Sequence, residues 1–445
     1  MLILEDFSVW AALWVVTTND TLYIDWAVIN NGGVATGSSF QVTLSVDGVL
    51  KNTWTPSALN ANTSLPIIDY SINSLTLGSH TLLLSVDPTN AVSESNESDN
   101  YYSKTIVVTD PSASSVIPII LTAAGLNNSF FTSEMTLTNR GTTPATITYT
   151  YSSAFGGGGG SASDSLGAGE QKIVPDAVTY LISLGLPIPT SGKRGGTLAV
   201  DFSGSSDVGI MVRTTTAVSG GRAGLAYPSV SSQEGFTEPV YLAGLRQNAL
   251  DRSNVAFQNL GRTAADGNIT LRTTIFSGDP AAPGQKILAD QILAPGGWFQ
   301  HSGVLGNFTN GYVKVERVSG TAPFYAYGVI NDQVNSDGSF VFPITESSLV
   351  GKTGQTLPVI VETAVFNSEL TVTNFSVLSK TIDFSFVADG VQTTDKTATF
   401  KLTILPGEQK IIPEVVAFLR SAGVNGIGPL GPTYAGAVFA TVASG

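Results

Sequence analysis

Apolar and polar positions alternate along most of this chain, and a period of two predicts strands. The alternation is clear in Thr21-Leu-Tyr-Ile-Asp-Trp-Ala-Val-Ile29 and in Phe40-Gln-Val-Thr-Leu-Ser-Val46. Asp47-Gly48 then supplies a hairpin turn signal, and 78–86 and 103–108 read as two further strands. A helical period appears in two places only. Val178, Leu181 and Ile182 follow Pro175 and stop at Gly185; Val415, Phe418 and Leu419 follow Pro413 and stop at Gly423. The spacing predicts short helices over 175–184 and 413–422, each with its proline in the first turn and Asp176 or Glu414 facing the helix dipole.

Those two helices sit inside an internal repeat. Leu166-Gly-Ala-Gly-Glu-Gln-Lys-Ile-Val-Pro returns as Leu405-Pro-Gly-Glu-Gln-Lys-Ile-Ile-Pro. Around it three segments share landmarks. Their first strands, Met135-Thr-Leu-Thr-Asn139, Val255-Ala-Phe-Gln-Asn259 and Leu370-Thr-Val-Thr-Asn374, each end in an asparagine before a turn. Second strands follow at 145–151, 268–276 and 381–387, turns at Gly169, Gly296 and Gly407, and last landmark strands at 197–204, 312–320 and 437–445. In the middle copy Trp298-Phe-Gln-His-Ser-Gly303 stands where the others have the helix. Repeats of this kind set the architecture. The expected fold is all-β: four tandem immunoglobulin-like β-sandwich modules over 1–110, 116–231, 237–347 and 357–445, two of the repeats with a short capping helix. Brief linkers at 231–237 and 347–356 imply modules set end to end with restricted hinging.

The third repeat stops after its last landmark strand, two strands short of its sisters. Either the native chain runs on, or a neighbour completes the sandwich. For the second case Met1, Leu2, Ile3 and Leu4 are the expected donor, Ala437 and Phe439 mark the expected open edge, and head-to-tail repetition would build a filament.

Composition narrows the function. Of 445 residues, 42% are apolar and 12% charged, a folded rather than disordered balance. Asp and Glu number 34 against 21 Lys and Arg, a net charge of −13. No basic cluster exceeds Lys193-Arg194, so nucleic acid and anionic membranes are poor partners. With no cysteine there is no disulfide or thiolate chemistry. Glu5 and Asp6 come too early for a signal peptide, and the apolar run 9–16 is too short to span a bilayer.

The first quarter of the chain carries a resemblance. Ile29-Asn-Asn-Gly-Gly33, Val46-Asp-Gly48 and above all Val86-Asp-Pro-Thr-Asn-Ala-Val-Ser-Glu-Ser-Asn-Glu-Ser-Asp-Asn100 before a final strand resemble CARDB, the cell-adhesion-related domain of bacterial surface proteins. The resemblance implies an immunoglobulin-like sandwich in a secreted or cell-surface protein of bacterial type, and no catalytic activity.

Candidate chemistry is sparse. Asp87, Asn90, Glu94, Glu97 and Asp99 offer hard oxygen ligands that calcium could use, although the spacing is not that of an EF-hand and the same residues stabilise turns. Trp10, Trp14, Trp26 and Trp54 could form a sugar-stacking platform or simply fill a core. His80 and His301 lie in different modules, so no triad or zinc site is expected. Gly351-Lys-Thr353 lacks the upstream glycine of a phosphate loop. The glycine run 156–160 reads as a floppy hairpin loop. No carboxylate pair stands out for glycoside hydrolysis, and sequons lie at Asn127, Asn268, Asn307 and Asn374. The expectation is a non-enzymatic extracellular structural or adhesive protein, a stalk or a self-associating filament subunit. Its rivals are a carbohydrate-binding surface protein and an accessory region of a larger secreted enzyme.

Overall fold

A computed structural model describes residues 2–10, 16–17, 21–30, 32–61, 63–76, 78–94, 100–109, 115–126, 128–205, 207–231, 234–388, 397–422 and 433–442, with backbone only for 2–10, 17, 109, 388, 397–398 and 433. About 58% of the chain is strand and 6% helix, an all-β fold. The first domain is a sandwich. One sheet orders Leu2–Trp10, Leu22–Asn30 and Thr63–Asn73; the other orders Val16–Thr17, Tyr101–Thr109, Gly78–Val86, Val42–Val46 and Val49–Trp54. The alternation works as it should: Leu22, Ile24, Trp26 and Val28 from one sheet meet Val42, Leu44, Leu82 and Leu84 from the other in a buried core. Each such side chain contributes about 1.5–3 kcal/mol.

The three repeats share one plan. A first sheet sets the last landmark strand centrally, as Arg194–Ser203 between Ala145–Ser153 and Ser115–Ala124, Asn310–Ser319 between Ile269–Ser277 and Val240–Arg246, and Thr433–Val442 between Lys380–Ala388 and Gly354–Thr363. The facing strands centre on Phe130–Asn139, Asp251–Asn259 and Leu370–Thr373. Phe130–Asn139 lies between Gln171–Val174 and Val208–Val218, and Asp251–Asn259 between Trp298–His301 and Phe324–Asp332. Among the described residues Leu370–Thr373 pairs with Gln409–Ile412, on one side only.

This plan corrects the expected edges. Phe439 is bonded on both sides, opposite Thr356 and Ser385, and Ala437 sits opposite Val387, so neither marks an open edge. Leu2, Ile3 and Leu4 are not a free arm either; they pair with Asn30, Ile29 and Val28 in the first domain's own sheet. Met1 lies outside the described residues.

The helices form where expected, over Ala177–Ser183 and Val415–Ser421. Their prolines, however, stand before the cap rather than in the first turn. Asp176 is the N-cap, its carboxylate accepting from the Thr179 N–H and hydroxyl. Gly185 closes the first helix with φ +94°, a backbone state that favours glycine. A single turn at Glu346–Leu349 and a 3₁₀ turn at Ala264–Asp266 add helix that no periodicity signalled. In the middle copy Trp298–His301 replaces Gln171–Val174 rather than the helix, because His301 sits opposite Val255 as Val174 sits opposite Met135.

The strand-ending asparagine recurs in all four modules and is buried in each: Asn30, Asn139, Asn259 and Asn374. Asn374 Nδ2 donates to the carbonyls of Leu378, Ile404 and Leu405 at 2.8, 3.0 and 3.1 Å, while its Oδ1 accepts the Ser376 N–H. Asn139 donates to Thr143 and Gly167, Asn259 to Gly267 and Leu293, and Asn30 to Val34 and Leu59. Each accepts an N–H two residues on from Gly141, Gly261 or Gly32. Six residues before each repeat's asparagine, the hydroxyl of Ser133, Ser253 or Ser368 accepts an N–H from the preceding strand at 2.8–2.9 Å.

The glycine run packs closely against its neighbours. A Cβ on Gly157 would lie 2.8 Å from Pro189, one on Gly158 3.0 Å from Pro187, and one on Gly159 2.9 Å from the Tyr151 carbonyl. The glycines let the segment lie flat under the two prolines that follow the helix.

Short linkers are not what joins the repeats. The first and second share a core of Val116, Ile119, Tyr227 and Val230 against Ala256, Leu260, Tyr325 and Tyr327. The second and third meet at Gln409, 2% exposed. Its Oε1 accepts the Gly244 N–H at 2.6 Å and its Nε2 donates to Asn310 Oδ1 and the Gly311 carbonyl at 2.7 and 2.9 Å. Phe375 packs there between Tyr241 and Tyr312, and Arg246 pairs with Glu369.

Asn139→Ala removes its bonds to the partly buried Thr143 and Gly167 carbonyls and Gly141 N–H, and should lower stability by about 1–3 kcal/mol by denaturant titration. Expressed in a glycosylating host, the folded protein should carry glycan on exposed Asn268 and Asn307 but none on Asn374, as peptide mapping will show.

Candidate functional site

The acidic loop of the first domain was the leading site on sequence. Asp87 is buried with φ +44°, and its two carboxylate oxygens accept the N–H groups of Ala91 and Val92 at 2.9 and 2.7 Å. Its own N–H bonds the Gln41 carbonyl. Asp87 therefore organises the turn, with both oxygens committed to backbone. Asn90, also at positive φ, is exposed, and Glu94 is half-buried. Glu97 and Asp99 lie outside the described residues. Among the described residues no three acidic or histidine side chains converge as a metal site would require.

The tryptophans divide by role. Trp26 is core, with Trp54 edge-on at 5.0 Å and Tyr70 edge-on to Trp54 at 4.8 Å. Those two rings therefore pack inward rather than forming a platform. The side chain of Trp10 and all of Trp14 lie outside the described residues.

Two polar clusters remain. At the other end of the first sandwich His80 Nδ1 lies 2.6 Å from Asp47 Oδ2, and Nε2 lies 2.7 Å from the Thr76 carbonyl. With an acceptor at each ring nitrogen the imidazolium is favoured. The Asp47 bond, then the Thr76 carbonyl, raise the His80 pKa above its ordinary value, and Asp47 is lowered in turn, chiefly by His80. Sequence reasoning treated His80 as bland; the Asp47-Gly48 turn was the available signal, because it places Asp47 beside the strand that carries His80.

In the first repeat Lys172 Nζ donates to both Asp164 oxygens at 3.0–3.1 Å, and the Tyr180 hydroxyl donates to Oδ2 at 2.6 Å. Burial pushes the Asp164 carboxyl up, but the bonds from Tyr180 and Lys172 outweigh it and hold it below the usual range. Such a cluster invites a catalytic reading. Strand register argues otherwise. Ala145 opposes Leu166 as Lys380 opposes Ile404, so Tyr149 and Asp164 correspond to Phe384 and Leu402. The third repeat fills the space with stacked Phe384 and Phe400, 4.7 Å apart, and with Phe418 on its helix. The cluster is one of two ways to seat the capping helix. A cleft of about 390 Å³ between the second and third repeats, walled by Phe276, Tyr312, Pro280 and Pro406, contains Asp279 as its one carboxylate and lacks the pair that glycoside hydrolysis uses.

The family model CARDB matches residues 4–104. The chain carries a CARDB domain. Among solved structures, the CARDB domain of a Pyrococcus furiosus protein is 25% identical in its solution structure, covering 24% of this chain and 94% of that one, TM-score 0.22. The crystal structure of the same domain, in complex with di-metal ions, is 24% identical over 25% of this chain and 94% of that one, TM-score 0.22. A domain of a Methanosarcina acetivorans protein, named as a cell-surface protein, is 30% identical over 24% of this chain and 90% of that one, TM-score 0.21. No curated protein matches the chain. CARDB is a cell-surface-associated domain, compatible with an extracellular setting, and among the described residues no helix is long and apolar enough to cross a membrane.

The CARDB domain's stability should depend on His80. A histidine whose folded pKa is raised contributes fully below its unfolded value near 6.5, and the contribution fades as pH rises through the folded value. Following tryptophan emission, wild type should exceed His80→Gln in stability at pH 5.5, with the difference shrinking as pH rises from 6.5 towards 9. In the first repeat, Asp164→Ala alone should cost about 2–3 kcal/mol by leaving Lys172 unpaired, while Tyr149→Phe, Asp164→Leu and Tyr180→Phe together should cost less, as the third repeat's apolar set does the same work.

Proposed function

We propose that the protein is a non-enzymatic extracellular structural component: a stiff array that holds its CARDB domain away from an attachment point and associates through sheet edges. The observation that carries this reading is Gln409. A buried amide bonded to four groups of the preceding repeat fixes two modules as one body, as the shared tyrosine core fixes the first pair. Stiffness of this kind serves spacing or adhesion, and the titratable cluster of Lys172, Asp164 and Tyr180 is accounted for by seating the helix, since the third repeat puts phenylalanines in the same place.

Two edges support association. Leu370–Thr373 pairs on one side only among the described residues, where both sister strands are flanked twice, and Leu2–Trp10 is an edge strand of the CARDB domain. Joining the two between copies is a heterologous contact that does not close, which gives a filament. Calcium in the acidic loop and bound carbohydrate belong to no part of this reading.

Small-angle scattering should fit rigid repeats, and Gln409→Ala should loosen the second junction into a measurably wider size distribution. Negative-stain microscopy and sedimentation should show concentration-dependent filaments, lost in Val372→Lys, which puts an inward-pointing charge on the open edge. Monomers at every concentration would remove the filament; scattering that demands free hinging in wild type would remove the array itself.

A further inference from the structure

Each junction between repeats has two halves, and both halves recur in every repeat. The receiving half is a bulge in the first sheet. It falls between Ile117 and Ile120, between Leu242 and Leu245, and between Leu357 and Ile360, so Ile119, Gly244 and Val359 hold one position. The docking half is the facing sheet. There Thr136, Ala256 or Thr371 stands opposite Ile173, Gln300 or Ile411. Two residues on, Thr138, Gln258 or Thr373 stands opposite Gln171, Trp298 or Gln409.

Two of the bulges are covered by the next repeat. Ile119 is buried in the apolar core that joins the first and second repeats. Gly244 gives its N–H to Gln409, and a Cβ there would lie 3.9 Å from Thr371. The third bulge is open: Val359 is 67% exposed, beside exposed Pro358 and half-buried Val361. One docking face is open as well. In the first repeat Ile173 is 58% exposed, and Met211, which stands where the second repeat has buried Tyr327, is 46% exposed. Its glutamine is already set for docking. Gln171 is exposed and bonds Thr138 at 3.2 Å, as Gln409 bonds Thr373 at 3.1 Å. Open apolar side chains on both faces gain by covering each other.

We propose that these two open halves meet between copies of the chain. The third repeat of one copy receives the first repeat of the next, with Val359 against Thr136 and Gln171, at the position used twice within each chain. A receiving face on one repeat and its docking face on another make a heterologous contact, which propagates rather than closes. Resting on the reading of the protein as self-associating, this contact adds a sheet face to the edge pairing. Both join the third repeat of one copy to the N-terminal part of the next, so they act together and a filament needs both.

The chain has no cysteine, so a designed pair of thiols reports this contact alone. Full-length copies carrying Thr136→Cys are mixed with tagged copies carrying Val359→Cys and mildly oxidised. The approach seen between Thr371 and Gly244 suits a disulfide. The mixed dimer should therefore form about ten-fold faster than when Val334→Cys, a 75% exposed site on the second repeat, replaces Val359→Cys. Equal rates would overturn the face contact. Wild-type filaments seen alongside equal rates would leave the edge reading standing without it, and monomers at every concentration would remove both. Faster cross-linking with filaments that survive Val372→Lys would keep the face and remove the edge. Sedimentation gives a second reading without thiols: Val359→Lys should weaken association by about ten-fold, and association equal to wild type would again sink the proposal.

Discussion

A strand that ends in a turn leaves carbonyls with no ladder partner, and a sandwich of short strands has many such ends. Here one side chain in each module deals with one of them. The amide of Asn30, Asn139, Asn259 or Asn374 reaches into the loop and donates to carbonyls that backbone alone would leave unpaired. The turn then closes in one way, which fixes where the next strand begins and which of its residues face the core. Register in a sheet is all or nothing, since a slip of one residue turns every apolar side chain outward. The same serine, six residues earlier in each repeat, pins the other end of the strand.

With both ends of that strand fixed, the rest of each repeat can vary. The first repeat seats its helix over Lys172, Asp164 and Tyr180; the third seats an equivalent helix over Phe384, Phe400 and Phe418. The second omits the helix and puts Trp298 where the others carry glutamine. The two later repeats use this position where they meet their predecessors. Its chemistry changes from a tyrosine face to a bonded glutamine.

Much of this was legible in the sequence. Alternation found the strands, the repeated Glu-Gln-Lys segment found the two helices, and the acidic stretch 86–100 found the CARDB domain. Asparagine at three strand ends was visible, but its burial was not, because polar residues before turns are ordinary. The open edge was assigned to Ala437 and Phe439, which lie mid-sheet, since order along the chain says nothing of order across a sheet. The glycine run was read from flexibility alone; the prolines that cover it are about 30 residues away. The junctions were missed for the same reason. Gln171 and Gln409 are identical in sequence context, and only the neighbouring repeat makes one of them an anchor.

The Gln409 contact also sets an order of events. Gly244, Leu245, Asn310 and Gly311, the groups it bonds, all precede it by about 100 residues or more. A chain emerging from its N-terminus therefore completes the receiving surface before the anchor arrives. The third repeat meets a finished template. Reversing the order of the repeats would keep every local strand pattern and lose that sequence of assembly.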